Sequence, residues 1–189
     1  MPTYVAFLRA VNVGGRFVKM ATLAQHFRDL GHADVQTYLN SGNVVFRAAS
    51  RSPVALASAI EQGLGARLGF ETHAFVRSVA RVHEIARRGM ALAGDESLAD
   101  VNVAFLAAPL AEPQVAVLQT LGSAVDAFVV DGTEVYWMCR VRQSESAFSN
   151  NVFERKLKLR TTLRRAVMLH GLSQQLRETP PRAETMRAP

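Results

Sequence analysis

The chain spells one short phrase twice. Val5–Ala10 reads VAFLRA and Val103–Ala108 reads VAFLAA. After each copy come apolar runs and turn signals in matching order. A repeat of this kind constrains the fold before any single element is assigned, because each copy should build the same supersecondary unit.

In the first copy, Val5–Val11 reads as a strand. Both of its alternating sets are largely apolar (Val5 and Phe7 against Tyr4, Ala6 and Leu8), so neither face is simply exposed to water. Arg9 is the exception, near the strand's end. A glycine turn, Asn12–Arg16, follows. Met20–Leu30 is an amphipathic helix with Met20, Leu23, Phe27 and Leu30 on one stripe, stopped at Gly31. Thr37–Phe46, TYLNSGNVVF, is strand, tight turn and strand. Tyr38, Val44, Val45 and Phe46 favour strands, and Asn40-Ser41-Gly42-Asn43 tolerate positive φ. Ser52-Pro53 opens a helix that buries Leu56, Ile60 and Leu64. Phe70–Arg77 is a fourth strand. The order β-α-β-β-α-β is that of the ferredoxin-like split unit.

Ser78–Arg88 reads as a connecting helix and Met90–Asp100 as a polar loop. The second copy then runs through strand Val103–Ala108, helix Pro113–Leu121, strand Asp126–Val130, an Asp131-Gly132 turn and strand Thr133–Val141. A basic helix, Asn150–Leu159, closes it. Thr162–Leu176 is expected as a last helix. Arg164 and Arg165 would fall in its first turn, where cations oppose the helix dipole unless an anion or a carboxylate relieves them. The expected fold is α+β: two ferredoxin-like β-α-β-β-α units packed together by internal duplication, with a C-terminal helical extension. The first unit spans 1–78, and 101–177 holds the second unit plus the C-terminal helices; a helix and loop over 79–100 join them, and 178–189 form a mobile tail. Strands apolar on both faces imply that the halves cover one another. That argues against an open sheet displaying aromatics to RNA.

No apolar run approaches membrane-spanning length, and the N-terminus has no basic leader, so no membrane partner is expected. A single cysteine, Cys139, excludes an internal disulfide framework and suits a reducing compartment, which points to the cytoplasm. The net charge of +6 is localised. Arg140–Arg165 holds eight basic and two acidic residues and carries all of it; elsewhere the charges balance. Such a segment attracts phosphates or other anions, or is a solvated arginine-rich surface.

The residues FLRAVNVGG (Phe7–Gly15), KMATL (Lys19–Leu23) and YLNSGNVVF (Tyr38–Phe46) resemble a bacterial family known as domain of unknown function 1697. Its pattern has Arg-Gly-Ile-Asn-Val-Gly-Gly at the first turn and Tyr-Ile-x-Ser-Gly-Asn-Val at the hairpin. The resemblance covers nearly the whole chain. It implies a duplicated ferredoxin-like α+β architecture and supplies no reaction. The family's C-terminal pattern, Glu-x-Lys-Leu then Thr-x-Arg-Asn-Trp, is met at Glu154, Lys156, Leu157, Thr162 and Arg164. Arg165 and Ala166 replace its asparagine and tryptophan, and Ala10 replaces its usual glycine.

His26, His32, His73, His83 and His170 show no i, i+4 pair and no cysteine companion, so no metal site is expected. Cys139 shares a strand face with Val135, Trp137 and Val141 and reads as a buried small residue. Ser41 is not in a nucleophile elbow. Asn12-Val13-Gly14-Gly15 lies between a strand and a helix, where backbone N–H groups can cradle an anion, but it lacks the Walker and GxGxxG patterns, and tight-turn glycines explain it as well. No cofactor is assigned. The expected ligand site comprises Arg9, Asn12, Gly14, Gly15, Lys19, Ser41, Gly42, Asn43, Lys156 and Arg164, holding an anionic small molecule, nucleotide or nucleic-acid segment. Two alternatives stand beside it: an enzyme on a small anionic metabolite with Glu154 as acid or base, and an interaction protein whose basic helices dock an acidic partner.

Overall fold

The computed structural model describes residues 1–11 and 17–178. The doubly apolar first strand is Thr3–Arg9 (β1), buried from Tyr4 to Leu8. After Met20–Asp29 (α1) come Ala33–Tyr38 (β2) and Asn43–Arg47 (β3), then Pro53–Leu68 (α2) and His73–Ser78 (β4). The four strands form an antiparallel sheet in the order β2-β3-β1-β4. Tyr4, Ala6 and Leu8 on one face pack against Leu23 and Phe27 of α1 and Ile60 and Leu64 of α2. Ser52 caps α2 by accepting the Ala55 N–H, as its hydroxyl and the following proline predict.

Val79–Ala93 (α3) leads to the second half: Asp100–Phe105 (β5), Glu112–Thr120 (α4), Asp126–Asp131 (β6), Glu134–Cys139 (β7), Asn150–Leu157 (α5), Thr162–Arg165 (β8) and Ala166–Glu178 (α6). Its antiparallel sheet has the order β6-β7-β5-β8. The fold is thus a mixed α+β arrangement of two four-stranded sheets and six helices, and each half runs β-α-β-β-α-β.

The expected helix at Thr162–Leu176 is corrected in its first four residues. Thr162–Arg165 pairs with β5, Thr162 opposite Phe105 and Arg164 opposite Val103. Without this partner the β5 edge would leave backbone donors and acceptors unpaired beside the core, and that cost outweighs local helix preference. Arg164 and Arg165 therefore precede the helix, and the dipole argument made for them lapses. α3 also runs past Arg88 through Gly89 to Ala93. Gly89 stays helical because it lets α3 approach α6: a Cβ there would lie 3.0 Å from that of Ala166.

The inner faces of the sheets meet. Val5, Phe7, Val45 and Phe75 join Val103, Phe105 and Tyr136 in one core with Val82 and Ile85 of α3 and Leu169 and Leu172 of α6. Phe7 and Phe105, the same letter of the repeated phrase, stack with centroids 4.1 Å apart. Burying each ring contributes roughly 1.5–3 kcal/mol, and the stack adds about 0.5–1.5. Among the described residues, no helix is long and apolar enough to cross a membrane. The expected turn at Asn12–Arg16 and the expected tail beyond Glu178 lie outside the described residues.

Candidate functional site

The hairpin turn Leu39–Gly42 folds back onto the end of β1, where the Leu8 N–H donates to the Gly42 carbonyl at 2.8 Å. Gly42 has φ 69°, and a Cβ on it would lie 3.2 Å from that of Leu8. Glycine therefore meets both demands, backbone conformation and space. Asn43, next in line, is fully buried. Its Nδ2 donates to the Tyr38 carbonyl at 3.0 Å and to Ser41 Oγ at 2.8 Å, while its Oδ1 accepts from Arg164 Nε at 2.6 Å.

Arg164 reaches this corner from β8, in the other half. Nη1 donates to Thr162 Oγ1 at 2.7 Å and to the Leu163 carbonyl at 2.8 Å; Nη2 donates to the carbonyls of Leu8 at 3.0 Å and Ser41 at 2.7 Å. With Asn43 these acceptors occupy all five guanidinium N–H groups. None of the acceptors is a carboxylate. Burial pushes the Arg164 pKa down to about 10, which leaves it charged at neutral pH. Arg164 was expected among the ligand-binding residues; its five N–H groups all donate to the protein, and it latches β8 to the first hairpin.

A reciprocal latch holds the other corner. Arg77 stands opposite Val5 in β4 as Arg164 stands opposite Val103 in β8. Arg77 Nε donates to Glu134 Oε1 at 2.5 Å, and its Nη2 to the carbonyls of Leu106 at 2.7 Å and Thr133 at 3.1 Å. The two guanidiniums lie over Phe105 and Phe7 respectively, 5.6 and 5.9 Å from the ring centres. Glu134, fully buried, also accepts from Arg81 Nε at 3.0 Å. Sequence reasoning missed Arg77, Arg81 and Glu134. The repeated phrase was the available signal, since laying one copy over the other matches β4 to β8.

Arg9 grips Glu154 of α5 with Nε and Nη2, both at 2.5 Å. Glu154 is buried, and its Oε1 also accepts the Thr161 N–H at 2.9 Å; Arg160 Nη1 lies 3.8 Å from Oε2. Lys156, two residues along the same helix, is exposed, because positions i and i+2 do not share a face. Lys19 is exposed just before α1. Of the expected site, Arg9, Ser41, Gly42, Asn43 and Arg164 converge on the end of β1 and its partners. Lys19 and Lys156 make no described contact with them. Asn12, Gly14 and Gly15 lie outside the described residues. Ala10, where the family pattern has glycine, takes φ 68°.

The sequence profile of the family described as "Protein of unknown function (DUF1697)" matches residues 1–136. The chain belongs to this family. The profile match includes Arg9, Asn43, Arg77 and Glu134 and ends before Glu154 and Arg164. No curated protein matches this DUF1697 chain. Among solved structures, the conserved bacterial protein SP0830 from Streptococcus pneumoniae is 24% identical with a TM-score of 0.70, over 94% of this chain and 99% of that one. That likeness extends the shared fold through the second sheet.

Proposed function

We propose that this DUF1697 protein binds a phosphate-bearing or other anionic ligand, a nucleotide or a nucleic-acid segment, at the rim of the corner made by Arg9, Ser41–Asn43 and Arg164. One observation carries the reading: Arg164 is a buried cation without a carboxylate, whereas its counterpart Arg77 has Glu134. Uncompensated charge in a poorly solvated place projects a positive field to the nearby surface. Arg9 and Arg160 share the single carboxylate of Glu154, so there too the positive charge exceeds the negative. In this reading Arg164 acts from behind through its charge. The ligand meets the exposed Ser41 and is reached by the side chain of Lys19; Asn12, Gly14 and Gly15, outside the described residues, belong to the same proposal. Arg155 and Lys156 of α5 and Lys158 just past its end are all exposed, a basic cluster that a nucleic-acid segment would reach and a mononucleotide would not.

The same reading places the protein in the cytoplasm. It takes the halves as duplicated ferredoxin-like units, residues 1–78 and 101–177; the reciprocal arginines support this, since a copied strand would carry its arginine to the copied place. Glu154 serves poorly as an acid or base, because both of its oxygens already bind Arg9. The basic cluster at the end of α5 favours one second reading, the docking of an acidic partner.

Thermal unfolding with inorganic phosphate, AMP or a twelve-nucleotide single strand tests the proposal. We expect at least one of them to raise Tm, and Lys19→Gln with Ser41→Ala to remove the rise. No shift from any of the three, or an equal shift in the double variant, would sink it. Heparin retention that falls in Arg155→Gln, Lys156→Gln, Lys158→Gln while no small anion shifts Tm would favour the docking reading.

A further inference from the structure

A cavity of about 860 Å³ opens on the inner face of the first sheet, between the edge strand β2, the first turn of α3 and the end of α6. None of its lining residues belongs to the corner described above. Its volume falls among those of small-molecule pockets, roughly 300–1,000 Å³. Its floor includes Val45 and Arg47 of β3, and its far wall includes Val79 of α3 and Leu176 of α6. His32, whose ring packs 4.6 Å from that of Phe46, also lines it.

The charge in this cavity is unbalanced. Arg47 pairs with Asp34 at 3.1 Å, but among the described residues Arg28 meets only neutral acceptors, Gln25 Oε1 at 3.3 Å and the Val35 carbonyl at 3.5 Å. Two guanidiniums therefore line the cavity with one carboxylate. The first turn of α3 adds to the excess. It holds no acidic residue, and although Ser78 Oγ takes the Arg81 N–H, a helix start leaves further N–H groups without intrahelical acceptors.

We infer that this cavity is a second binding site, for a small organic anion with a flat apolar body. Its carboxylate, sulfonate or phosphate lies between Arg28, Arg47 and the start of α3, and its body lies against Val45, Val79 and Leu176. The inference goes beyond the corner reading and does not depend on it.

The test titrates the full-length protein with 8-anilinonaphthalene-1-sulfonate, followed by fluorescence and calorimetry. We expect one saturable site. Arg28→Gln should weaken it about tenfold, the loss of one charge-assisted contact. Ala80→Trp, at an exposed position of the lining, should abolish it while leaving Tm within the wild-type range. Lys19→Gln, at the other site, should leave it unchanged. The uncharged N-phenyl-1-naphthylamine should bind at least tenfold more weakly than the sulfonate, about 1.4 kcal/mol. Non-saturable binding, equal affinity in Arg28→Gln and Ala80→Trp, or equal affinity for the uncharged probe would overturn the inference.

Discussion

Asn43 and Glu134 occupy the same place in their two hairpins, one opposite Phe7 and the other opposite Phe105, yet only Glu134 carries a charge. Each receives the Nε–H of an arginine sent from the other half, Arg164 for Asn43 and Arg77 for Glu134. The halves are thus clasped twice with nearly the same hydrogen bonds and different electrostatics. One corner is a buried ion pair reinforced by Arg81; the other is a cation held by dipoles alone.

Arg164→Lys keeps the charge and loses the fork. An ammonium offers three donors where five acceptors wait, so carbonyls of Leu8, Ser41 or Leu163 are left buried and unpaired. We expect a loss of at least about 2 kcal/mol in urea unfolding. A midpoint equal to wild type would show that the latch contributes nothing.

Glu134→Gln removes the anion that Arg77 and Arg81 share and turns an amide N–H₂ toward at least one of them. The expected cost is about 3–5 kcal/mol, since a broken buried pair strands its partners' charge. Urea unfolding of this variant beside Arg164→Lys measures the difference between the two corners.

Ala10 sits at φ 68°, in a region that costs an L-residue with a side chain about 1–2 kcal/mol. Ala10→Gly relieves that strain and gives back part of the gain as chain entropy. A net stabilisation of about 0.5–1 kcal/mol is expected. Differential scanning calorimetry should then show Tm raised by about 2 °C; a lowered Tm would contradict it.

Asp126 is buried at the start of β6. Burial alone would raise its pKa, but donated hydrogen bonds from Trp137 Nε1 at 2.7 Å, Ser146 Oγ at 2.8 Å, Cys139 Sγ at 3.2 Å and Ser123 Oγ at 3.0 Å outweigh it and hold the pKa below the ordinary value. A carboxylate depressed in the folded state stabilises above its unfolded pKa, about 3.9, and that contribution fades as pH falls through the folded value. The urea midpoint should therefore decline below about pH 4, and Asp126→Asn should flatten that acid limb. An unchanged limb would assign it to other carboxylates.

Cys139 is buried, and burial with the neighbouring Asp126 carboxylate pushes its thiol pKa up to about 12. It is held as a thiol in the fold. A chromogenic disulfide reagent at pH 8 should leave it untouched in the native protein and label it fully in denaturant. Rapid native labelling would place it at an accessible site.

Element order as far as α5 was legible from local signals. Ser52-Pro53 started α2, Asn40–Asn43 bent the hairpin, and strands apolar on both faces announced that the halves cover each other. The candidate site was only half legible: Gly42 and Asn43 stood out as turn chemistry, but neither Arg77 nor the partners of Arg164 could be read from their neighbours in the chain. β8 shows the same limit from the side of the backbone. Thr162-Leu163-Arg164-Arg165 has no strong preference of its own, and the open edge of β5 decides it.

Sequence alone determined which segments would be strands and helices wherever periodicity, capping and turn residues act within a few positions of one another. Tertiary structure decided where Arg164 ends up and what it does. Its five acceptors come from β1, the first hairpin and β8, as much as 156 residues away, and only packing brings those carbonyls around one buried guanidinium.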